Sequence, residues 1–315
     1  MFKKANMSLW TGRDDGHDKE RWHQRIVPLK GSDPAGIALL GIASDEGVKR
    51  NHGRIGAVAG PDTIRTNLAN LAYHQSVPLY DAGNLCCEQG DLEALQRKQG
   101  DKVCQLLEQN HFPLLIGGGH EIAYGSFAGL EKYLSQNQNS DSIGIINLDA
   151  HFDLRRADQA TSGTPFLQIA NHCQQQGISF NYLCLGISDI ANTATLFRTA
   201  EQLNVQYLRD EELNSWQLEK INQRLKEFIH PCQAIYLSID LDLLPAATAP
   251  GVSAPAARGV PQEIVEWLLT TIKYLSGKRL KLADIAEYNP QYDIDGRTAK
   301  VAARLCHLII RKEEL

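Results

Sequence analysis

The stretch IGIINLDAHFD, residues 143–153, decides how the rest of the chain is read. Ile143 to Leu148 form an apolar run of strand length, and three potential metal ligands follow at alternate positions: Asp149, His151 and Asp153. Alternate side chains of an extended segment share one face. If the extended backbone persists past Leu148, two carboxylates and an imidazole converge at the carboxyl end of a buried strand. That end is where open α/β sheets place their ligands. Asp and His also cluster in loops for plain structural reasons, so the pattern acquires weight only from support elsewhere in the chain.

Apolar runs of the same kind recur at 37–42, 77–83, 112–118, 181–188, 204–208, 234–240 and 280–289. Between them lie amphipathic stretches with helical spacing at 61–71, 92–109, 122–134, 165–176, 216–229, 261–275 and 296–310. Strands that are apolar throughout, rather than alternating, suit a sheet covered on both faces. The alternation of strand and helix therefore predicts an α/β fold: a three-layer α/β/α sandwich around a mostly parallel sheet of eight strands. No repeat, low-complexity tract or linker divides residues 36–315, which read as one domain. Residues 1–35 are polar and carry Trp10 and Trp22 between charges, the composition of a segment that wraps the domain or meets a neighbouring subunit.

A chain of 315 residues with 43% hydrophobic and 22% charged residues is ordinary globular material, long enough for a large core. The formal charge of -5, without a basic cluster, argues against nucleic acid as a partner. The N-terminus lacks the apolar run of a secretory signal and no segment approaches membrane-spanning length, so a cytoplasmic protein without a membrane partner is expected. The cysteines at 86, 87, 104, 173, 184, 232 and 306 show neither a disulfide framework nor zinc spacing, and read as reduced thiols.

Support for a metal site comes from other strand ends. The strand at 112–118 runs into Gly117-Gly118-Gly119-His120-Glu121, where glycines permit close backbone approach and His120 opens a helix over the sheet edge. The strand at 234–240 delivers Asp240 and Asp242, again two apart, and the strand at 280–289 ends near Glu287. Singly, each has a plain reading: a helix start for His120, a capped turn for Asp240 and Asp242, a sheet-edge carboxylate with a backbone partner for Asp284. Together, His120, Asp149, His151, Asp153, Asp240 and Asp242 bring two imidazoles and four carboxylates from three strand ends. Four carboxylates assembled without cations repel one another, and two divalent ions remove that repulsion. The donors are hard and contain no thiolate, which favours Mn2+ over structural zinc. Two such ions, roughly 3.5–4 Å apart, hold a hydroxide ready to attack an electrophilic carbon, so the implied chemistry is metal-assisted hydrolysis.

The motifs GGGHE (117–121), DAHFD (149–153) and SIDLD (238–242), with the tail LLPAATAPGVSAPAARG (243–259), resemble those of the ureohydrolase, or arginase, family. The likeness runs in order from about residue 36 to the end of the sequence. It implies an α/β/α sandwich with an eight-stranded parallel sheet, a homo-oligomer, and two Mn2+ per subunit. It implies His120, Asp149, Asp153 and Asp240 on one ion and Asp149, His151, Asp240 and Asp242 on the other, with Asp149 and Asp240 bridging. Asp153 would pass a proton from the bridging hydroxide to the leaving amine. Glu287, in EYNP, matches the carboxylate that grips the amidine or guanidine, a planar cation suited to a bidentate acid.

Within the family, arginases and agmatinases carry a His where this chain has Ser162, and the branch acting on N-formimidoyl-L-glutamate is the one it is most similar to. GVKRNHGRIGAVAGPDTIR (47–65), LWTGRDDGHDKERWHQ (9–24) and GVSAPA (251–256) point the same way. Arg155, with Arg156 beside it, stands where arginases place a residue touching the amino-acid end of their substrate, and Arg54 is a further candidate for a substrate carboxylate. The expected reaction is hydrolysis of N-formimidoyl-L-glutamate to L-glutamate and formamide, a step of histidine degradation. The competing readings are a urea-releasing relative acting on agmatine or a guanidino acid, and a non-catalytic metal-binding relative.

Overall fold

The chain enters the fold through its N-terminal segment. The computed structural model describes residues 1–14, 16, 18–136 and 142–312, so Asp15 and His17 of the opening segment lie outside the described residues. The segment adds β1 (Phe2–Lys3), the helical turn α1 (Trp22–Arg25) and β2 (Ile26–Pro28). The alternation then runs β3 (Ile37–Ala43), α2 (Glu46–Arg50), α3 (Gly60–Ala69), β4 (Leu79–Cys86), α4 (Leu92–Glu108), β5 (Phe112–Gly117), α5 (Ile122–Gln136) and β6 (Ile143–Leu148). It continues α6 (Pro165–Gln176), β7 (Asn181–Ile187), α7 (Ala194–Gln202), β8 (Gln206–Arg209), α8 (Leu218–Ile229), β9 (Ala234–Asp240), α9 (Gln262–Ser276), β10 (Leu280–Ala286) and α10 (Arg297–Ile310).

The strands form one sheet in the order β1-β4-β3-β5-β10-β9-β6-β7-β8, with β2 also on β4. All pairings are parallel except β1 with β4. The eight strands read from the sequence are all present, and the sheet has ten. The two additional strands are two and three residues long and mostly exposed, too short to leave an apolar run. Side chains next to them hold them in place. Trp10 and Trp22 are buried and stack with centroids 6.4 Å apart, and Trp22 meets Tyr73 edge-on at 5.7 Å. Trp10 Nε1 donates to Asp81 Oδ2 at 2.8 Å, and the same carboxylate takes a two-pronged grip from buried Arg65. An Arg fork on a carboxylate satisfies both charges inside the core.

Every residue of β3, β6 and β9 is buried, which is why their sequences are apolar without alternation. Helices α3, α8, α9 and α10 cover one face through Ile64, Leu225, Leu268 and Ala302, and α4 to α7 cover the other through Val103, Phe127, Ile169 and Leu196. Each fully buried Leu, Ile or Phe contributes about 1.5–3 kcal/mol, so the two apolar layers hold the sheet between them. Cys86 and Cys87 are half-buried, the other five cysteines are buried, and all seven are free. Among the described residues no helix is long and apolar enough to cross a membrane.

The order of the central strands positions the site. β5, β10, β9 and β6 are adjacent, although β9 and β10 come last in the chain. Parallel register sets Leu148 beside Ile239 and Asp240 beside Ala286. Asp149, Asp240 and Glu287 therefore leave the sheet at nearly one level.

Candidate metal centre

His120 is held from behind. Its Nε2 lies 2.9 Å from Ser238 Oγ, and that hydroxyl donates to Asp284 Oδ1 at 2.6 Å. A hydroxyl that donates to the carboxylate must accept from the imidazole, so Nε2 carries a hydrogen and Nδ1 is the nitrogen turned toward the clustered carboxylates. Nδ1 lies 3.1 Å from Oδ2 of each of Asp149, Asp153 and Asp240. The turn before it needs a glycine at 118, because a Cβ there would fall 1.5 Å from the Ser44 carbonyl oxygen.

A second set adjoins the first. His151 Nδ1 lies 3.0 Å from Asp242 Oδ2 and 3.6 Å from Asp149 Oδ1. His120, Asp149, Asp153 and Asp240 form one group whose ligand atoms all lie within 4.8 Å of one another, and Asp149, His151 and Asp242 form another. Asp149 belongs to both. Asp240 belongs to the first only, and its Oδ1 accepts the Asp242 amide at 2.8 Å.

All six expected ligands are thus brought together, though not by the alternation that suggested it. β6 stops at Leu148, and Asp153 has a φ of 49°, so the chain turns back instead of extending. The turn, rather than the pleat, aims Asp153 at His120.

The electrostatics show a cluster built for positive charge. Burial and Asp149 push Asp153 up to about 6, and burial with Asp242 and Asp149 pushes Asp240 well up. Burial disfavours the His120 cation, yet Asp149, Asp153 and Asp240 hold its pKa well above the ordinary histidine value. His120 Nδ1, Asp242 Oδ1 and Glu287 Oε2 are buried without a hydrogen-bond partner. Buried polar atoms without a hydrogen bond are costly unless something else meets them, and the two groups of ligand atoms fit a divalent metal.

Glu287 stands at the edge of this cluster with a φ of 68°. Its Oε1 accepts the His120 amide at 2.8 Å, while its own amide donates to the Gly118 carbonyl at 2.7 Å. Burial and then Glu121 push it up to about 8.

The expected substrate contacts are placed differently. Ser162 is buried in the turn 161–164, tied to the metal turn because the Phe166 amide donates to the Asp153 carbonyl at 3.2 Å. Arg155 is exposed and runs close over Gly163, where an added Cβ would meet its Cδ at 2.8 Å. Arg156 is exposed too, and both line a cleft of about 540 Å³ with Glu93, Asp158 and Gln168, which none of the six clustered side chains lines. Arg54 lies over the Tyr292 ring at 5.0 Å, and its carbonyl accepts from Asn289, two residues past Glu287.

Asp284 differs from its sequence reading. It is not at a sheet edge, since β10 is central, and its partners are hydroxyls: Ser126 at 2.7 Å, Tyr236 at 2.5 Å and Ser238 at 2.6 Å. Ser238 was legible as a partner of the site, because it lies two before Asp240 on one strand face. Its pairing with Asp284 depends on the register of β9 and β10.

The Arginase family model matches residues 35–310. The chain belongs to the arginase family. Among curated members it is 50% identical to the formimidoylglutamase of Chromobacterium violaceum, covering 98% of both chains. It is also 50% identical to the formimidoylglutamase of Aeromonas salmonicida, covering 98% of this chain and 99% of that one. Among solved arginase-family folds, the Bacillus subtilis formimidoylglutamase superposes with a TM-score of 0.82 at 23% identity, over 95% of this chain and 93% of that one. The Trypanosoma cruzi formiminoglutamase solved with Mn2+ superposes with a TM-score of 0.78 at 25% identity, over 93% and 98% of the two chains.

Proposed function

We propose that this arginase-family chain hydrolyses N-formimidoyl-L-glutamate to L-glutamate and formamide, in histidine degradation, with two Mn2+ per subunit. The observation that carries the reading is the pair of ligand sets sharing Asp149, with the unpartnered Glu287 Oε2 beside them. Full-length relatives at 50% identity that bear the formimidoylglutamase name support the substrate. His120, Asp149, Asp153 and Asp240 would hold one ion and Asp149, His151 and Asp242 the other. When bound, the two ions supply the positive field that acidifies water and offsets the carboxylate charge.

The remaining steps fall to side chains. Glu287 holds the substrate's planar amidinium through its free oxygen, which fixes the formimidoyl carbon next to the cluster. Asp153, whose Oδ2 lies 3.1 Å from His120 Nδ1 inside the cluster, accepts a proton from the attacking water and returns it to the departing glutamate nitrogen. The C–N bond to glutamate breaks as the carbonyl of formamide forms. Arg155 is the first candidate for a substrate carboxylate, with Arg156 and Arg54 behind it, and Ser162, in the buried turn 161–164, is a candidate substrate contact. Residues 36–315 serve as the catalytic domain, and the match at 35–310 together with the pairing of β1 and β2 supports reading 1–35 as a segment laid against it.

The test is turnover of formimidoylglutamate, agmatine, arginine and guanidinobutyrate by the Mn2+-loaded protein. Glutamate and formamide from the first substrate, with no urea from the others, is the expected result. Urea release without glutamate formation would overturn the substrate assignment, and a metal-loaded protein inert to all four would overturn the enzyme.

A further inference from the structure

The turn 149–153 carries three of the six clustered side chains, yet it has no regular structure of its own. Its backbone is buried, with Ala150 and Phe152 3% and 0% exposed, so its polar groups need partners from outside. Cys184 Sγ donates to the His151 carbonyl at 3.4 Å, and two further side chains, one on β7 and one in the loop after it, hold the rest. Asn192, 6% exposed, accepts the Phe152 amide at 3.1 Å and donates to the Ala150 carbonyl at 2.8 Å and the Ser188 carbonyl at 2.9 Å. Tyr182, 1% exposed, donates its hydroxyl to the Phe152 carbonyl at 3.1 Å. The same hydroxyl accepts from Asn147 Nδ2 at 3.0 Å, and Asn147 also donates to Asp149 Oδ2 at 2.9 Å. One chain of bonds therefore runs from the Asp149 carboxylate through Asn147 and Tyr182 to the backbone beside Asp153.

We propose that Tyr182 and Asn192 are positioning residues that clasp this turn and set the metal affinity of the centre. The proposal rests on the metal reading given above. A turn with a left-handed residue at Asp153 returns its ligands to one point only while its backbone is held on both sides. Without the clasp the same side chains remain, but they must be ordered by the ion itself, which weakens binding. The two ligand sets depend on it unequally. Two of three members of the His151 set come from the turn, against two of four in the His120 set. The His151 set therefore loses more.

Tyr182→Phe removes the hydroxyl and leaves the ring, which stacks on Phe166 with centroids 4.4 Å apart. Asn192→Ala removes the other half of the clasp. Mn2+ titration of the chelator-treated protein by calorimetry, with free Mn2+ followed by electron paramagnetic resonance, reads both binding steps. Each variant is expected to raise the dissociation constant of the weaker step by about 10–100-fold, the range for loss of outer-sphere support, and that of the tighter step by less. A role confined to folding would lower the melting temperature of the metal-free variants and leave both dissociation constants unmoved. If Asn192→Ala does not fold, Tyr182→Phe decides. Dissociation constants within twofold of the unaltered protein in every folded variant overturn the clasp alone, whereas absence of Mn2+ binding by the unaltered protein overturns the metal reading itself.

Discussion

Glu287→Gln should cut kcat/KM about 100-fold or more and, in the metal-free protein, stabilise the fold at alkaline pH. The carboxylate is fully buried, takes one backbone hydrogen bond on Oε1, and has no partner on Oε2. Burial and Glu121 raise it from 4.5 to about 8. The unfolded chain therefore releases this proton near pH 4.5 and the folded chain only near 8, so the unfolded state is favoured progressively between those values. Stability from this group is intact below pH 4.5, falls as pH rises, and levels off above 8. At about 1.4 kcal/mol per pKa unit, the loss by pH 9 is about 3–5 kcal/mol. Glutamine cannot ionise, but its amide places buried N–H groups where Oε2 has no partner, at a cost of about 1–3 kcal/mol.

The variant should thus be more stable than the unaltered protein by about 1–3 kcal/mol at pH 9, and less stable at pH 5, where Glu287 is protonated. Carboxylates away from Glu287 titrate alike in both proteins and cancel in the difference, while Glu121 ionises more readily once the Glu287 charge is gone, which acts in the same direction. Urea unfolding of both chelator-treated proteins at the two pH values gives the comparison, and kcat/KM should fall about 100-fold or more once the amidinium loses its anion. A variant less stable by the same amount at both pH values would refute the reasoning, because Glu287 would then be an ordinary satisfied side chain.

Asp284→Asn replaces one of the two oxygens that three hydroxyls donate to with an N–H donor, which loosens the hold on Ser238 and, through it, on the His120 ring. Calorimetry should show Mn2+ binding weakened about 10–100-fold, chiefly in the step that uses His120. Trp22→Ala leaves a large void between Trp10 and Tyr73. Urea midpoints should report a loss of about 3–5 kcal/mol, while kcat/KM of the protein that remains folded is unchanged. Arg155→Ala, on an exposed side chain at the Ser162 turn, should raise KM for formimidoylglutamate about tenfold or more with little change in kcat. An unaltered KM would move the carboxylate assignment to Arg54.

The sheet and the ligands were both written in residue order. Uniformly apolar strands demand cover on both faces, and an acidic or imidazole group at the end of such a strand is too costly to keep without a use, so 149, 151, 153, 240 and 242 stood out. The short strands at 2–3 and 26–28 left no such mark, because pairing of exposed backbone at a sheet edge depends on neighbours rather than side-chain pattern. Helix α7, nine residues long, follows a loop and was equally silent.

What the linear chain determined by itself was the set of candidate ligands and the layering, since hydrophobic period and donor chemistry are local properties. What only the tertiary structure decided was who stands behind those ligands. β9 and β10 insert between β5 and β6, which sets Ser238 and Asp284 at the back of His120 and Glu287 at its side. Tyr182 and Asn192 reach the metal turn only because β7 lies next to β6. Parallel neighbours are joined through distant crossovers, so their side-chain contacts arise from sheet order and register, quantities no single stretch of sequence contains.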